Sequence, residues 1–319
     1  MLKDKTGKWV QDQQDLSELV FDYFSCFFHS AISSEIPRLH TTPSTSDPCA
    51  AQAHLVAPFE MAEVRRPFFE MNPSKAPEPN GIQAYFFQFG WPVVQNSLLK
   101  LANHVLLKLG DIKDINRTFI SLIPKKDLVA DFRPIILCNT SYTLIYKLIV
   151  NHLKPLLSQC ISPCQSNFIL GGNIVYNIIL LKEIPHSIAR SKNKTKPMAI
   201  KVDLSKAYDS LEWNFIRDKL VYFQIPPILR DLIMSCITAC TMQVLWNSQP
   251  GYRFQPSRGI RQGDSLSPYI FTLCMERLSR LIQYKVLHWR WVAFKIRSFQ
   301  ASHVFYEDDV VLFGGSHSS

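Results

Sequence analysis

Apolar positions recur at helical spacing near the start of the chain, where Leu16, Leu19, Val20, Tyr23 and Phe24 share one stripe and predict an amphipathic helix over residues 10–30. From Ser33 to Pro58 the sequence is rich in Ser, Thr, Pro and Ala with neither period, which reads as a linker or mobile loop. The run Lys75-Ala76-Pro77-Glu78-Pro79-Asn80-Gly81 is a turn, and Leu98, Leu101, Val105 and Leu106 carry a helix beyond it. A strand is predicted from Phe119 to Pro124 and a second near Arg133 to Leu137. Helix returns from Leu144 to Leu157, with Ile145, Leu148, Ile149 and Leu153 at helical spacing, and again from Ile174 to Glu183. Met198 to Asp203 is an apolar β-like run that ends in a carboxylate. A helix through Phe215, Ile216, Leu220 and Phe223 follows, then a β-pair of Met242–Trp246 with Arg253-Phe254 around the segment Asn247–Gly251. A long apolar helix runs from Tyr269 to about Val286, and no internal repeat is present.

The chemistry concentrates where the pattern turns acidic. In the segment from His303 to Phe313, apolar residues flank acids on both sides. A strand entering through Val304, Phe305 and Tyr306 and leaving through Val310, Val311, Leu312 and Phe313 carries Asp308 and Asp309 at the tip of a tight hairpin. Two like charges held together are costly unless a cation sits between them. Asp203, at the end of its own strand, supplies a third carboxylate, and three carboxylates on two strand ends make a site for a hard cation. The segment Ser257 to Pro268 is a Gly- and Arg-rich loop that feeds a helix, a place able to hold a phosphate or a base. Arg190, Lys192, Lys194 and Lys196 form a basic loop, readable either as a solvated hairpin tip or as a nucleic-acid contact.

Composition narrows the class. At 319 residues and 47% hydrophobic content the chain forms one large or two ordinary domains and is not disordered. Its 35 Lys and Arg against 26 Asp and Glu leave a net charge of +9, which favours a polyanionic partner. No apolar run reaches the roughly 18 residues of a membrane span, and Met1-Leu2-Lys3-Asp4-Lys5 is not followed by an apolar signal segment, so the expectation is a protein of the nucleus or cytoplasm. Eight cysteines are too sparse for a disulfide scaffold. The spacings Cys160/Cys164 and Cys236/Cys240 offer only half of a zinc site each, and buried thiols are the expected reading.

Five blocks stand in order along the chain: Pro124-Lys125-Lys126 with Phe132-Arg133-Pro134-Ile135; Asp203 with Ala207-Tyr208-Asp209; Arg258-Gly259-Ile260-Arg261-Gln262-Gly263-Asp264; Leu266-Ser267-Pro268; and Tyr306-Glu307-Asp308-Asp309. This set resembles the reverse transcriptase of LINE-type non-LTR retrotransposons, particularly the plant elements. The likeness covers nearly the whole chain, taking in the Lys75-Ala76-Pro77 turn, the Gln165-Ser166 segment and Met198 to Trp213.

The resemblance implies an α+β right-hand polymerase fold with fingers, a palm with an antiparallel sheet, and flanking helices. It implies an N-terminal helical extension and linker at 1–58, fingers with a fingers-proximal region at 59–197, and a palm at 198–319. By the same resemblance Asp203, Asp308 and Asp309 hold two Mg²⁺ ions for nucleotidyl transfer to a primer 3′-hydroxyl. The partners implied are an RNA template, a DNA primer and deoxynucleoside triphosphates, with no membrane. Lys125 and Arg133 match fingers positions on the incoming triphosphate, Tyr208 matches the aromatic gate against a 2′-hydroxyl, and Gln262 and Gly263 match the loop against the template and nascent pair.

The chain departs from that pattern at Glu307, where Ala or another small or apolar residue is usual, at Glu78 for Gly, at Leu170-Gly171-Gly172-Asn173 for Pro-Gly-Arg-Gln, and at Ser265 for Pro. It closes at Gly314 to Ser319, so later palm strands and a thumb are expected to be missing. Two main readings stand: an RNA-directed DNA polymerase domain, or a catalytically inactive remnant that at most binds nucleic acid non-specifically. A maturase-like splicing factor is a weaker third.

Overall fold

The computed structural model describes residues 1–30, 52–74, 79–108, 112–165, 174–190, 198–288, 290–296, 299–306 and 308–314. The elements begin with β1 (Leu2–Lys3), β2 (Trp9–Val10), α1 (Gln13–Phe27), α2 (Gln52–Leu55), α3 (Met61–Phe69), α4 (Ala84–Phe89), α5 (Trp91–Leu107) and α6 (Ile112–Ile115). They continue with β3 (Arg117–Ile123), β4 (Arg133–Cys138), α7 (Thr140–Cys160), α8 (Ile174–Arg190), β5 (Met198–Asp203), α9 (Trp213–Tyr222) and α10 (Pro227–Thr238). The last are β6 (Thr241–Trp246), β7 (Gln249–Phe254), α11 (Ser267–Leu287), β8 (Phe294–Ile296), β9 (Phe299–Ala301), β10 (His303–Tyr306) and β11 (Asp309–Gly314).

These elements fall into two compact units. The first takes the described residues up to Leu153, apart from any between Arg38 and Pro48, together with Tyr208–Ser267; the second takes those of Lys154–Ala207 and Pro268–Ser319.

In the first unit, β4, β3, β6 and β7 form a four-stranded sheet in that order. β3 runs antiparallel to β4 and parallel to β6. The β6–β7 hairpin closes on Asn247 and Ser248, whose φ values of 49° and 64° put both central residues in the left-handed region that tight two-residue hairpins require. The helical periods of the sequence reappear as burial. Leu16, Val20 and Phe24 of α1 are buried, and Asp12 caps the helix by accepting from the backbone N–H groups of Gln14 and Asp15. In α7 the expected face of Ile145, Leu148, Ile149 and Leu153 is buried, but so are Tyr142, Leu144, Tyr146 and Val150, the mark of a helix enclosed on most sides.

The second unit holds the antiparallel sheet β10-β11-β5. Ile184 of α8 packs with Ala301, Val304 and Phe313 under Leu181, Phe294 and Val311. Trp291 ties in the end of β11 by donating its indole N–H to the Phe313 carbonyl.

Several expectations shift at their edges. The expected linker falls mostly on 31–51, outside the described residues, and its far end forms the short α2, where Leu55 is buried. The turn at 75–77 with Glu78, the segment 170–173, Ser166, Lys192, Lys194, Lys196 and Glu307 also lie outside the described residues. Helix α10 was not anticipated. Pro227 opens it at a position that needs no N–H. Burial pushes the Cys236 and Cys240 thiols up to about 12 and about 11. Among the described residues no helix is long and apolar enough to cross a membrane.

His303 gives the second unit a pH signature. Its ring is buried between the hydroxyls of Ser279, at 2.7 Å from Nε2, and Ser302, at 2.9 Å from Nδ1. Burial lowers its pKa from 6.5 to about 4. The unfolded chain therefore takes up this proton at a higher pH than the folded one. The stability of the neutral ring is intact above pH 6.5 and drains away as the pH falls to about 4, a loss of about 3 kcal/mol in all. Denaturant titrations at pH 7.5 and pH 4.5 should show that loss in the wild-type chain and a smaller one in His303→Gln; equal losses would remove His303 as the cause.

Candidate active site

The carboxylates lie in the second unit, on the sheet β10-β11-β5. Antiparallel pairing sets Asp309 opposite Asp203, Val310 opposite Val202 and Val311 opposite Lys201, while Tyr306 faces Asp309 from the other side. Residues opposite one another project to the same face, with Cβ atoms about 4.5–5.5 Å apart. Asp203 and Asp309 are thus immediate neighbours, and Asp308 is the turn residue just before Asp309. The partner of Asp203 in the ladder is Asp309.

Like charges directly opposite each other destabilise a strand pair. Lys201 offsets this. Two residues before Asp203, it points to the same face, and its Nζ lies 2.9 Å from Asp309 Oδ1. The hydrogen bond to Asp309, followed by the charge of that carboxylate, raises the Lys201 pKa, with Asp203 and Asp308 adding to it. Among the described residues no three His, Cys, Asp or Glu side chains are gathered closely enough to hold a metal ion. The case for a divalent cation is therefore one of register and donor chemistry. Two carboxylates stand opposite one another, a third is adjacent in the chain, and the cluster has already drawn one cationic group to itself.

The other predicted residues belong to the first unit. Lys125 and Arg133 are both exposed at one end of the β3–β4 pair, where Arg133 is the partner of Ile123. Farther along β4, the Ile136 N–H donates to the Gln262 carbonyl at 3.3 Å, and a Cβ on Gly263 (φ 105°) would sit 3.5 Å from the Ile136 carbonyl oxygen. The Gln262 side-chain amide donates to Asp209 Oδ2 at 3.2 Å, and the Tyr208 carbonyl accepts from the Ile260 N–H at 2.9 Å. Tyr208, Gln262 and Gly263 thus belong to one cluster, formed where the 258–264 loop lies on the turn after β5.

Gly259 makes that close approach possible. With φ at 87°, any Cβ there would come within 2.7 Å of the Asp209 carbonyl oxygen, so only glycine fits. Trp213 clamps the same spot by donating its indole N–H to the Gly259 carbonyl at 2.9 Å.

Sequence reading assigned no role to Arg261, which turns out to anchor this loop. Its side chain is buried, donating to Asn116 Oδ1 at 2.6 Å, Thr118 Oγ1 at 2.9 Å, the Tyr142 hydroxyl at 2.6 Å and the Cys236 carbonyl at 2.6 Å. It also donates to the Tyr146 hydroxyl and lies within cation–π distance of both tyrosine rings. Asp264 is the counter-charge, 3.9 Å away, and its carboxylate accepts from the N–H groups of Leu266 and Ser267 at the start of α11. Burial raises the Asp264 pKa, while Arg261 and the backbone N–H groups pull it down. At the neighbouring departure from the family pattern, the Ser265 hydroxyl is buried without a hydrogen-bond partner among the described residues.

Residues 123–319 match the reverse transcriptase (RNA-dependent DNA polymerase) family. The chain is 25% identical over 264 residues to the Transposon TX1 uncharacterized 149 kDa protein of Xenopus laevis, a match that covers 81% of this chain and 20% of that protein. It is 28% identical over 163 residues to the retrovirus-related Pol polyprotein from type-1 retrotransposable element R2 of Nasonia vitripennis, covering 50% of this chain and 15% of that protein. A 65-residue stretch is 40% identical to an uncharacterized mitochondrial protein of Arabidopsis thaliana, covering 20% of this chain and 53% of that protein. The chain spans no more than about a fifth of the length of the first two relatives.

Proposed function

From the premise that the chain belongs to the reverse transcriptase (RNA-dependent DNA polymerase) family, of the kind encoded by non-LTR retrotransposons and with its mixed α+β polymerase fold, we propose that it copies RNA into DNA. The observation that carries this reading is the ladder pairing of Asp203 with Asp309, which brings together two acids far apart in sequence. The sheet β10-β11-β5 is then the palm and the β3–β4 pair part of the fingers. The substrates are an RNA template, a DNA primer and deoxynucleoside triphosphates, handled in the nucleus or cytoplasm. The 40% identity to the Arabidopsis protein supports a plant element.

Asp203, Asp308 and Asp309 are the oxygen donors suited to Mg²⁺. Two such ions, when bound, would lower the pKa of the primer 3′-hydroxyl and stabilise the leaving pyrophosphate. The protein's own side chains do the positioning. Lys125 offers a point charge and Arg133 a two-pronged donor, both exposed and so open to a triphosphate. Gln262 and Gly263, held by β4 and Asp209, present a fixed surface to the template and nascent pair. The ring of Tyr208 bars a 2′-hydroxyl by steric overlap. An inactive nucleic-acid-binding remnant is the less favoured reading, because such a remnant has no need to keep Asp203 and Asp309 in register.

Sugar selection tests the substrate class. Tyr208→Val should raise ribonucleotide incorporation relative to deoxyribonucleotide by about 10- to 100-fold on an RNA template, at little cost to deoxyribonucleotide incorporation. Unchanged discrimination would take Tyr208 out of the gate, and products that do not copy the template would contradict the polymerase reading itself.

A further inference from the structure

The polymerase reading assigns no task to Lys201, yet its ammonium lies 2.9 Å from Asp309 Oδ1 in the carboxylate cluster. We infer that Lys201 is an internal counter-cation: it neutralises the Asp203–Asp309 pair in the metal-free protein and must leave Asp309 when a divalent ion binds. The inference rests on the proposed metal site and adds a competitor to it.

The geometry carries the argument. Asp203 and Asp309 are cross-strand partners, an arrangement that costs stability unless something cationic is near. Lys201 is placed for this by strand period alone, on the same face of β5 as Asp203 and diagonal to Asp309. Its ammonium takes up Asp309 Oδ1, an oxygen a divalent ion would need. The Lys201 side chain is 64% exposed and that of Asp309 38%, so the pair is in contact with solvent and loose enough to be exchanged. A buried pair would hold the site shut. A surface pair gives way to a double charge and, until then, links the ends of β5 and β11.

Two observables should move in opposite directions when the competitor is removed. Lys201→Met should lower the melting temperature of the metal-free chain at low salt, and it should tighten Mn²⁺ binding, read by electron paramagnetic resonance of unbound Mn²⁺, by about two- to fivefold. Lys201→Arg, which keeps the charge, should retain most of the wild-type stability and affinity. Adding Asp309→Asn to Lys201→Met should restore metal-free stability and abolish the tightened binding. Equal or weaker Mn²⁺ binding by Lys201→Met, with wild-type binding intact, overturns the counter-cation role and leaves the metal site standing. Failure of both proteins to bind Mn²⁺ overturns the two together.

Discussion

Replacing Asp203 by Asn should cut Mg²⁺-dependent extension of a DNA primer on RNA by a factor on the order of 10²–10³ and leave the melting temperature unchanged or slightly higher. The substitution keeps the shape of the side chain and removes one oxygen charge. Activity falls because an amide is a poor ligand for a hard cation. Stability does not fall, because Asp203 stands opposite Asp309 and one of two repelling charges disappears while Lys201 keeps its contact with the other. The split is diagnostic. A variant that lost both activity and stability would point to a structural role for Asp203, and one that lost neither would remove it from the site.

Arg261→Met should cost about 3–5 kcal/mol of stability, read as a large drop in the denaturation midpoint. Its guanidinium fills donor positions for Asn116, Thr118, Tyr142, Tyr146 and Cys236, and faces the buried carboxylate of Asp264. Truncation removes a charged donor from each of these buried acceptors and the counter-charge from Asp264. Two further variants separate these causes. Asp264→Asn added to Arg261→Met should recover part of the loss, since a neutral amide needs no counter-ion and still accepts from the start of α11. Arg261→Lys should rescue poorly, because one ammonium cannot reproduce a planar fork that serves separate partners. A loss below about 1 kcal/mol for Arg261→Met would show that the network is dispensable.

What the sequence disclosed, and what it hid, follows from how local each feature is. The ends of β5 and β11 were legible because apolar runs stop at acids, a signal contained within a few residues. Helix α7 was legible by periodicity and α11 as a long apolar run, although their true ends lie beyond the expected ones by about a turn at most. Helix α10 was hidden by its own start, since a double proline signals a turn unless the chain after it is known to be buried. That Asp309 stands opposite Asp203 depends on ladder register, which no local sequence signal reveals and one residue of slip would change. Lys201 was invisible for the same reason. Arg261 stood in plain view within a Gly-rich loop, but its partners come from β3, α7, α10 and the residue before β3, and no local spacing reveals such a convergence.

The proposal that this chain is an RNA-directed DNA polymerase with a metal site built from Asp203, Asp308 and Asp309 is tested most directly by single-turnover extension. The 319-residue chain would be saturated with an end-labelled DNA primer annealed to RNA of defined sequence, then given deoxynucleoside triphosphates with and without Mg²⁺. The account predicts a product that copies the RNA, appears only with the divalent ion, and vanishes in Asp309→Asn. Extension that proceeds without the ion or survives Asp309→Asn, or no extension from a duplex shown to be bound, would contradict it.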